Sequence, residues 1–428
     1  MRADRELARR DRSLPGLALV LDGETIGRRL RHAAVDLGVG SVEARYTRYK
    51  PGGSCLVAYR LATRRGELWA YAKAFRSDAR AKALKAHAMS SVSPGFGVAG
   101  AIHFPDESVV VTFFPNDHDL PALARLGHDD TRSSLLARIA PNRPDLARAP
   151  LDPLAYKPER RYVGHLAGDE GAAVIRLYSR GEFMRVAARA RAHEQLSRGP
   201  LRLSAPIAVA ARKRVLITGW LPGTSLDALL RRDAVPAGAL EELGAALARF
   251  HALPVASVPV RTRVEEILGL TAAAESIGVL CPPLGARAAL LGRQLCRNAA
   301  EAAERRAPIH GDLTADQVVV DPSGIGLIDL DALAAGDPAA DIASFVAELI
   351  LAEIQDRLGS GQAEARSEEL VAGYLGGGGV DPRGTMGWRI SAELLRRAVD
   401  PFRFRSPNWP ATMERVLERA ADRLAVTR

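Results

Sequence analysis

A short pattern occurs twice in this chain, and it restricts the fold more than any other feature. The sequence reads Tyr49-Lys50-Pro51 in one place and Tyr156-Lys157-Pro158 in another. Each is followed, after a glycine-containing break, by a strand-like run, 68–75 in the first copy and 172–178 in the second. Alternation and a high content of β-branched and aromatic residues predict antiparallel strands in both. An alanine-rich, helix-like segment comes next, 77–89 and 182–197. A third piece closes each copy: Val109 through Pro115 with Leu120-Pro121-Ala122-Leu123, and Val215 through Pro222 with a following Ser225-Leu226. Tyr-Lys-Pro alone would mean little. Four matching pieces in one order predict two tandem modules of strand-strand-helix-strand type, over about 40–127 and 152–230.

From about residue 237 the character changes, and helical periodicity dominates the rest of the chain. The predicted helices fall at about 239–253, 287–304, 341–358, 367–375, 386–399 and 412–424. Between them, 308–331 holds two short β-like runs, split by the turn Asp321-Pro322-Ser323-Gly324. A β-rich lobe joined to a helical lobe with a small hairpin is the outline of an α+β, protein-kinase-like fold. The expected division is a cap-like module with its linker over 1–150, a nucleotide-binding lobe over 151–235 and a helical catalytic lobe over 236–428.

A chain of 428 residues is too long for one ordinary core. Its apolar content of 47% argues for a globular fold and against wholesale disorder. No stretch approaches the ~18 apolar residues of a membrane span, and the first residues lack the apolar core of a secretory signal. Cys55, Cys281 and Cys296 are scattered, without zinc spacing. A reducing, cytoplasmic setting and no membrane partner are therefore expected. Residues 1–150 carry 24 Lys and Arg against 16 Asp and Glu, while the remainder is close to balance. No block of five or six like charges occurs, so nucleic acid is not an expected partner.

The residues that carry chemistry are His310-Gly311-Asp312, Gln317 and Gly326-Leu327-Ile328-Asp329-Leu330-Asp331. Phosphoryl transfer needs a carboxylate to orient the attacking hydroxyl and accept its proton. It also needs oxygen donors that hold Mg2+ against the phosphates. Asp312, in a polar loop, suits the first role. Gln317 and Asp329, expected on the two strands of the hairpin and facing one point, suit the second.

This segment resembles the aminoglycoside phosphotransferase and choline kinase superfamily. The resemblance runs through His310-Gly311-Asp312, the amide five residues on, Ile328-Asp329-Leu330-Asp331, and Gly336-Asp337-Pro338-Ala339-Ala340-Asp341. It covers roughly 150–400, and the layout with an added N-terminal module is similar to that of bacterial maltokinases. The resemblance implies an ATP- and Mg2+-dependent kinase acting on a hydroxyl of a small molecule. It assigns Asp312 as catalytic base and Gln317 and Asp329 as metal ligands. It also implies that Asp341 supports the catalytic loop. The amide is usually Asn in such proteins and is Gln here, read as a variant. Asp331 stays open between a metal role and a supporting one, and His310 is expected to hold the loop.

ATP also needs a cation near its α- and β-phosphates, fixed by an acid. Arg176 on a strand of the second module and Glu194 on the following helix suit these roles. Trp220 and Leu221 lie in a segment resembling the connector whose backbone grips adenine. A phosphate-covering loop is expected over 164–171. Lys73 holds the comparable strand position in the first module, but connectivity favours the second as the nucleotide lobe. The acceptor class stays open among sugars, amino sugars, aminoglycosides and amino alcohols. The acids of 351–370 are interleaved with Arg357 and Arg366, which favours a neutral or weakly charged polyol over a polycation. A non-catalytic nucleotide-binding scaffold is the alternative of another class. Intact Asp312 and Asp329 speak against it.

Overall fold

The computed structural model describes residues 2–64, 66–93, 98–199, 201–254 and 258–425. They pack as two compact units, each built from separate stretches of chain. The first takes residues 1–183, 208–217 and 401–409, the second 184–207, 218–400 and 410–428.

The repeat is realised as two five-stranded sheets of the same order. The first contains β1 (Val42–Lys50), β2 (Ser54–Thr63), β3 (Gly66–Phe75), β4 (Ala101–Phe104) and β5 (Val109–Phe113), ordered β1-β2-β3-β5-β4. The second contains β6 (Leu151–Lys157), β7 (Arg161–Leu166) and β8 (Ala173–Tyr178). After β9 (Arg202–Leu203), which joins another sheet, it adds β10 (Pro206–Ala210) and β11 (Val215–Gly219), ordered β6-β7-β8-β11-β10. One helix separates the third and fourth sheet strands of each copy, Arg80–Ala88 in the first and Arg180–Leu196 in the second.

The sequence reading undercounts these strands. The run around residue 50 folds back into a hairpin, and the fourth strand of each copy is too short to stand out as a pattern. The hairpin turns match closely. Lys50 pairs with Ser54 and Lys157 with Arg161, and Gly52 (φ +63°) and Glu159 (φ +58°) occupy the same left-handed position. Each turn is tied down by one aspartate. Asp11 accepts from the Tyr49 hydroxyl (2.8 Å) and the Gly52 N–H (2.9 Å). Asp117 accepts from the Tyr156 hydroxyl (2.9 Å) and the Glu159 N–H (2.8 Å).

The first unit is closed by chain from near the C-terminus. Buried Asp4 accepts from Arg405 (2.9 and 3.3 Å) and from the Trp409 indole N–H (3.2 Å), and Arg405 also donates to the Leu21 carbonyl (3.0 Å).

In the second unit, β12 (Thr224–Ser225), β14 (Val318–Asp321) and β15 (Gly324–Leu327) line up with β9 as β12-β14-β15-β9, while β13 (Ala307–Ile309) pairs with β16 (Ala334–Gly336). Arg202 on β9 clamps the hairpin by donating two hydrogen bonds to Asp321 (2.8 and 2.6 Å) and a third to the Gly324 carbonyl (2.7 Å). The helices used below are α1 (Ala239–His251), α2 (Arg263–Leu280), α3 (Pro282–Glu301), α4 (Ala339–Ile354), α5 (Gln362–Gly376) and α6 (Arg383–Arg397). Helix α4 is apolar nearly all round and lies in the core, as such a helix must. Helices α1 and α5 cross backbone to backbone. A Cβ on Gly373 would stand 1.9 Å from the Glu241 carbonyl, and one on Gly244 2.1 Å from the Leu370 carbonyl. Among the described residues no helix is long and apolar enough to cross a membrane.

Candidate active site

Strand β13 delivers the chain into the loop 310–317, and Asp341 in the first turn of α4 anchors that loop. Its buried carboxylate accepts from the backbone N–H of His310 (2.6 Å) and of Gly311 (2.8 Å). His251 Nε2 lies 3.2 Å from Asp341, and its Nδ1 lies 3.0 Å from the Tyr374 hydroxyl. Burial pushes the Asp341 carboxyl up. The His251 hydrogen bond, the charges of His251 and His310, and the Gly311 N–H outweigh that push and hold it below the usual range. The His310 ring is fully buried, with Nε2 2.9 Å from the Ile328 carbonyl, so it ties the loop to the hairpin.

Gly311 has φ +87°, and a Cβ there would stand 2.3 Å from the Ala332 carbonyl, so glycine alone fits. Arg261 donates to the Gly311 carbonyl. Its position is set by the Thr262–Glu265 capping box that begins α2 on the next residue. Farther along, Glu348 accepts from the Ala315 N–H at 2.6 Å.

With the backbone fixed, the Asp312 side chain is 66% open to solvent, and Arg397 Nη2 stands 3.8 Å from Oδ1. Arg397, the last residue of α6, also donates to Glu393 (2.7 Å) and to Ser344 Oγ (2.9 Å), and Ser344 donates to the Leu313 carbonyl (2.9 Å). One largely enclosed guanidinium thus braces both the carboxylate and the next peptide. Loss of hydration raises the Asp312 carboxyl above its ordinary value, and the Arg397 charge opposes this. Its openness to water limits the net rise.

Gln317 and Asp329 lie at the base of the hairpin, just off its strands. Gln317 ends a 3-10 turn before β14, and Asp329 follows β15. The Ile328 N–H bonds to the Gln317 carbonyl (3.0 Å), one step beyond the Val318–Leu327 pair, so the fold brings the two residues together. Asp329 has φ +61°, a left-handed conformation that Asp tolerates better than most non-glycine residues. The Gln317 amide oxygen accepts from the Thr314 N–H at 3.2 Å, and its second lone pair is left for a cation. Two neighbouring oxygen donors, one anionic, fit a magnesium ion that completes its shell with phosphates and water. Asp337 accepts from the Ala339 N–H (3.0 Å) and from Arg389 (2.7 Å), which caps α4.

Trp220 and Leu221 sit in the connector between β11 and β12. Trp220 is 40% exposed, and Leu221 packs over Gly326, where a Cβ would meet its Cδ1 at 2.9 Å. Glu194 is half exposed and bonds Arg198 at 2.6 Å, four residues on along its own helix. The role given to it from sequence, fixing Arg176, gains nothing from this pairing.

In the first unit, Arg176 is the one charged residue of β8, a strand buried along its whole length. It faces Val163, two residues beyond the closing Arg161 of its hairpin. Lys73 faces Leu56, two residues beyond Ser54. The two cations therefore hold equivalent sheet positions, as the sequence comparison expects. Lys73 is bound by Glu159, and Arg48 joins the same carboxylate. The loop expected to cover phosphates is pinned elsewhere. Arg143 and Asp145 pair at 2.7 Å, the Glu170 N–H donates to Asp145 (3.1 Å), and Arg143 donates to the Gly171 carbonyl (2.5 Å).

A model of the phosphotransferase enzyme family matches residues 159–383, more than half of the chain. The chain belongs to that family. This phosphotransferase is an enzyme of the small-molecule kinase type, and its kinase-like α+β fold agrees. A point mutant of aminoglycoside 2'-phosphotransferase-IIIa in complex with GDP is similar at 17% identity and TM-score 0.50, over 70% of this chain and 100% of that one. A choline/ethanolamine kinase family protein from Mesorhizobium loti reaches 16% and 0.49, over 69% and 94%. A macrolide 2'-phosphotransferase from Brachybacterium faecium reaches 17% and 0.44, over 67% and 97%. No curated protein matches the phosphotransferase in sequence.

Sequence reasoning missed Arg261, Glu393 and Arg397 around the loop, and also Arg189, whose Nε donates to the Leu333 carbonyl at 2.7 Å. Only 6 of the 59 basic residues are lysine, so single arginines on helices carry no signal of their own.

Proposed function

We propose that the phosphotransferase moves the terminal phosphate of ATP to a hydroxyl of a sugar-like small molecule, with Mg2+, in the cytoplasm. The observation that carries this reading is the Asp312 carboxylate, open to solvent on a loop fixed by Asp341 and Arg261. Asp312 orients the acceptor hydroxyl and takes its proton as the new O–P bond forms. Arg397 holds the carboxylate in place. Gln317 and Asp329 are the donors for the metal, which supplies neutralisation of charge on the transferred group. Arg176 is the proposed cation for the nucleotide phosphates, and the Trp220-Leu221 connector is the proposed adenine contact. The division into a cap over 1–150, a nucleotide lobe over 151–235 and a catalytic lobe over 236–428 belongs to the same proposal.

The test is nucleotide consumption by the purified protein against sugars, amino sugars, aminoglycosides and amino alcohols. GTP is run beside ATP, because one similar structure is a GDP complex. Acceptor-dependent ADP release that disappears in Asp312→Asn is expected. Release that is equal with and without every acceptor would count against the reading.

A further inference from the structure

Beside the catalytic loop, the second unit contains a cavity of about 160 Å³ between the start of α2, the end of α3 and the inner face of α6. Six arginines line it, Arg261, Arg263, Arg305, Arg306, Arg389 and Arg396, against four acids. A cavity of this size holds a carboxylate or phosphate with a few carbons.

Arg389 is the telling residue. It is only 6% exposed, and its Nε is buried with no hydrogen-bond partner among the described residues. Its other nitrogens are only partly used. One bonds Asp337 at 2.7 Å, while the other is 3.6 Å from Glu266, too long for a hydrogen bond. Arg396 donates to Glu393 with one nitrogen, and its other is 3.7 Å from Glu266. Arg305 is exposed and makes no hydrogen bond or ion pair among the described residues. A buried guanidinium edge left without an acceptor is costly unless something fills it. A planar or tetrahedral anion matches that fork.

The cavity adjoins the reaction centre through two of its own lining residues. Arg261 holds the Gly311 carbonyl, one residue before the base. Glu393 bonds Arg397, which stands 3.8 Å from Asp312. Asp312 does not itself line the cavity, so a molecule anchored here by an anionic group must extend past Arg261 and Glu393 to bring its hydroxyl to the base.

We propose that the acceptor bears an anionic group, a carboxylate or a phosphate, and that this arginine-lined cavity holds it. The proposal rests on the reading of Asp312 as the base. It narrows the acceptor to a polyol acid or polyol phosphate and disfavours amines, because arginines outnumber acids six to four along the lining.

Matched acceptors decide it: glucose, glucosamine, gluconate and glucose 6-phosphate, with the same series for a pentose. Binding is measured by calorimetry without nucleotide, and ADP release is measured separately, for the wild type, Arg389→Met and Arg305→Ala. The expected result is that acid forms bind and react. Arg389→Met should raise their KM at least tenfold with a smaller change in kcat, and Arg305→Ala, at an exposed position where folding is not at risk, should act in the same direction. Whether carboxylate or phosphate forms respond identifies the anion. Acid forms that bind the wild type and lose affinity in both variants, while no acceptor consumes nucleotide, would support the anion site and overturn the kinase reading. Reaction of neutral or amino forms while acid forms stay inert would overturn the anion proposal alone. So would an absence of binding by every acid form, or unchanged KM in both variants.

Discussion

The ammonium of Lys73 lies 2.7 and 2.9 Å from the two carboxylate oxygens of Glu159, the turn residue of the second copy. The first copy thus uses its strand cation to hold the hairpin of the other. Arg176, in the equivalent position of the second copy, is buried on a different strand. Lys73→Met should therefore lower stability by about 2 kcal/mol, less than the loss of a wholly isolated buried pair because Arg48 remains on Glu159. Arg176→Met should instead raise the apparent KM for ATP strongly. Urea unfolding and ATP titrations of both variants check this. A Lys73 variant of unchanged stability with weakened ATP use would place the nucleotide cation in the first copy.

The two anchoring aspartates should respond differently to pH. For Asp11, burial is the largest single influence and raises the carboxyl, but bonds from Ser13, Gly52 and Tyr49 together prevail and lower it. For Asp117, deep burial outweighs the donors from Glu159 and Tyr156, and its carboxyl is pushed up to about 6. A raised carboxyl binds its proton more tightly in the folded chain. Its contribution to stability is therefore greatest below pH ~4 and falls as pH climbs to ~6, a change of roughly 3 kcal/mol. Asp117→Asn cannot ionise. The stability of the wild type relative to this variant should fall between pH 4 and 6 and level off above. Denaturant unfolding across that range is the measurement, and a difference that stays flat or rises would contradict the assignment.

At the reaction centre, Asp312→Asn should lower kcat roughly a thousandfold while nucleotide still binds. Asp329→Ala should abolish Mg2+-dependent nucleotide binding, and Gln317→Ala should raise the Mg2+ concentration required. Titration of nucleotide binding against Mg2+ separates these effects. Identical curves for the two metal variants and the wild type would remove this metal site.

Gly373→Ala should destabilise the fold by about 3 kcal/mol or more, because its methyl group would overlap the Glu241 carbonyl of α1 and no side chain can move aside. Gly376→Ala, three residues on, meets nothing within 4 Å and serves as the control. Equal thermal midpoints for the two would show that the helices part more easily than their contact distance implies.

Much of this was legible in the residues. The paired sheets could be read because strand alternation and the repeated Tyr-Lys-Pro survive in both copies. The loop 310–317 and Asp341 could be read because their chemistry requires a fixed order along the chain. The short strands Ala101–Phe104 and Pro206–Ala210 carry too few residues for a period to appear. Helical spacing alone says which residues share a face with Glu194, not what that face meets. Arg261, Arg389 and Arg397 were hidden because their roles come from distant contacts. Arg397 reaches Asp312 from 85 positions away, and nothing local marks it among 59 basic residues.

The bond between Asp4 and Arg405 has a consequence for how the chain is made. A protein leaves the ribosome from its N-terminus, and a unit assembled from one continuous stretch can fold while the rest is still being synthesised. The first unit here cannot finish that way. Asp4 is translated about 400 residues before its buried cation, Arg405. Until then Asp4 lacks the Arg405 and Trp409 donors it has in the finished unit, and the docking of the helix Arg2–Arg10 is weaker for it. A fragment ending at residue 183, which lacks β10 and β11, should carry the strands of the first sheet with the helix Arg2–Arg10 open to proteases, and a separate peptide spanning 401–409 should protect it.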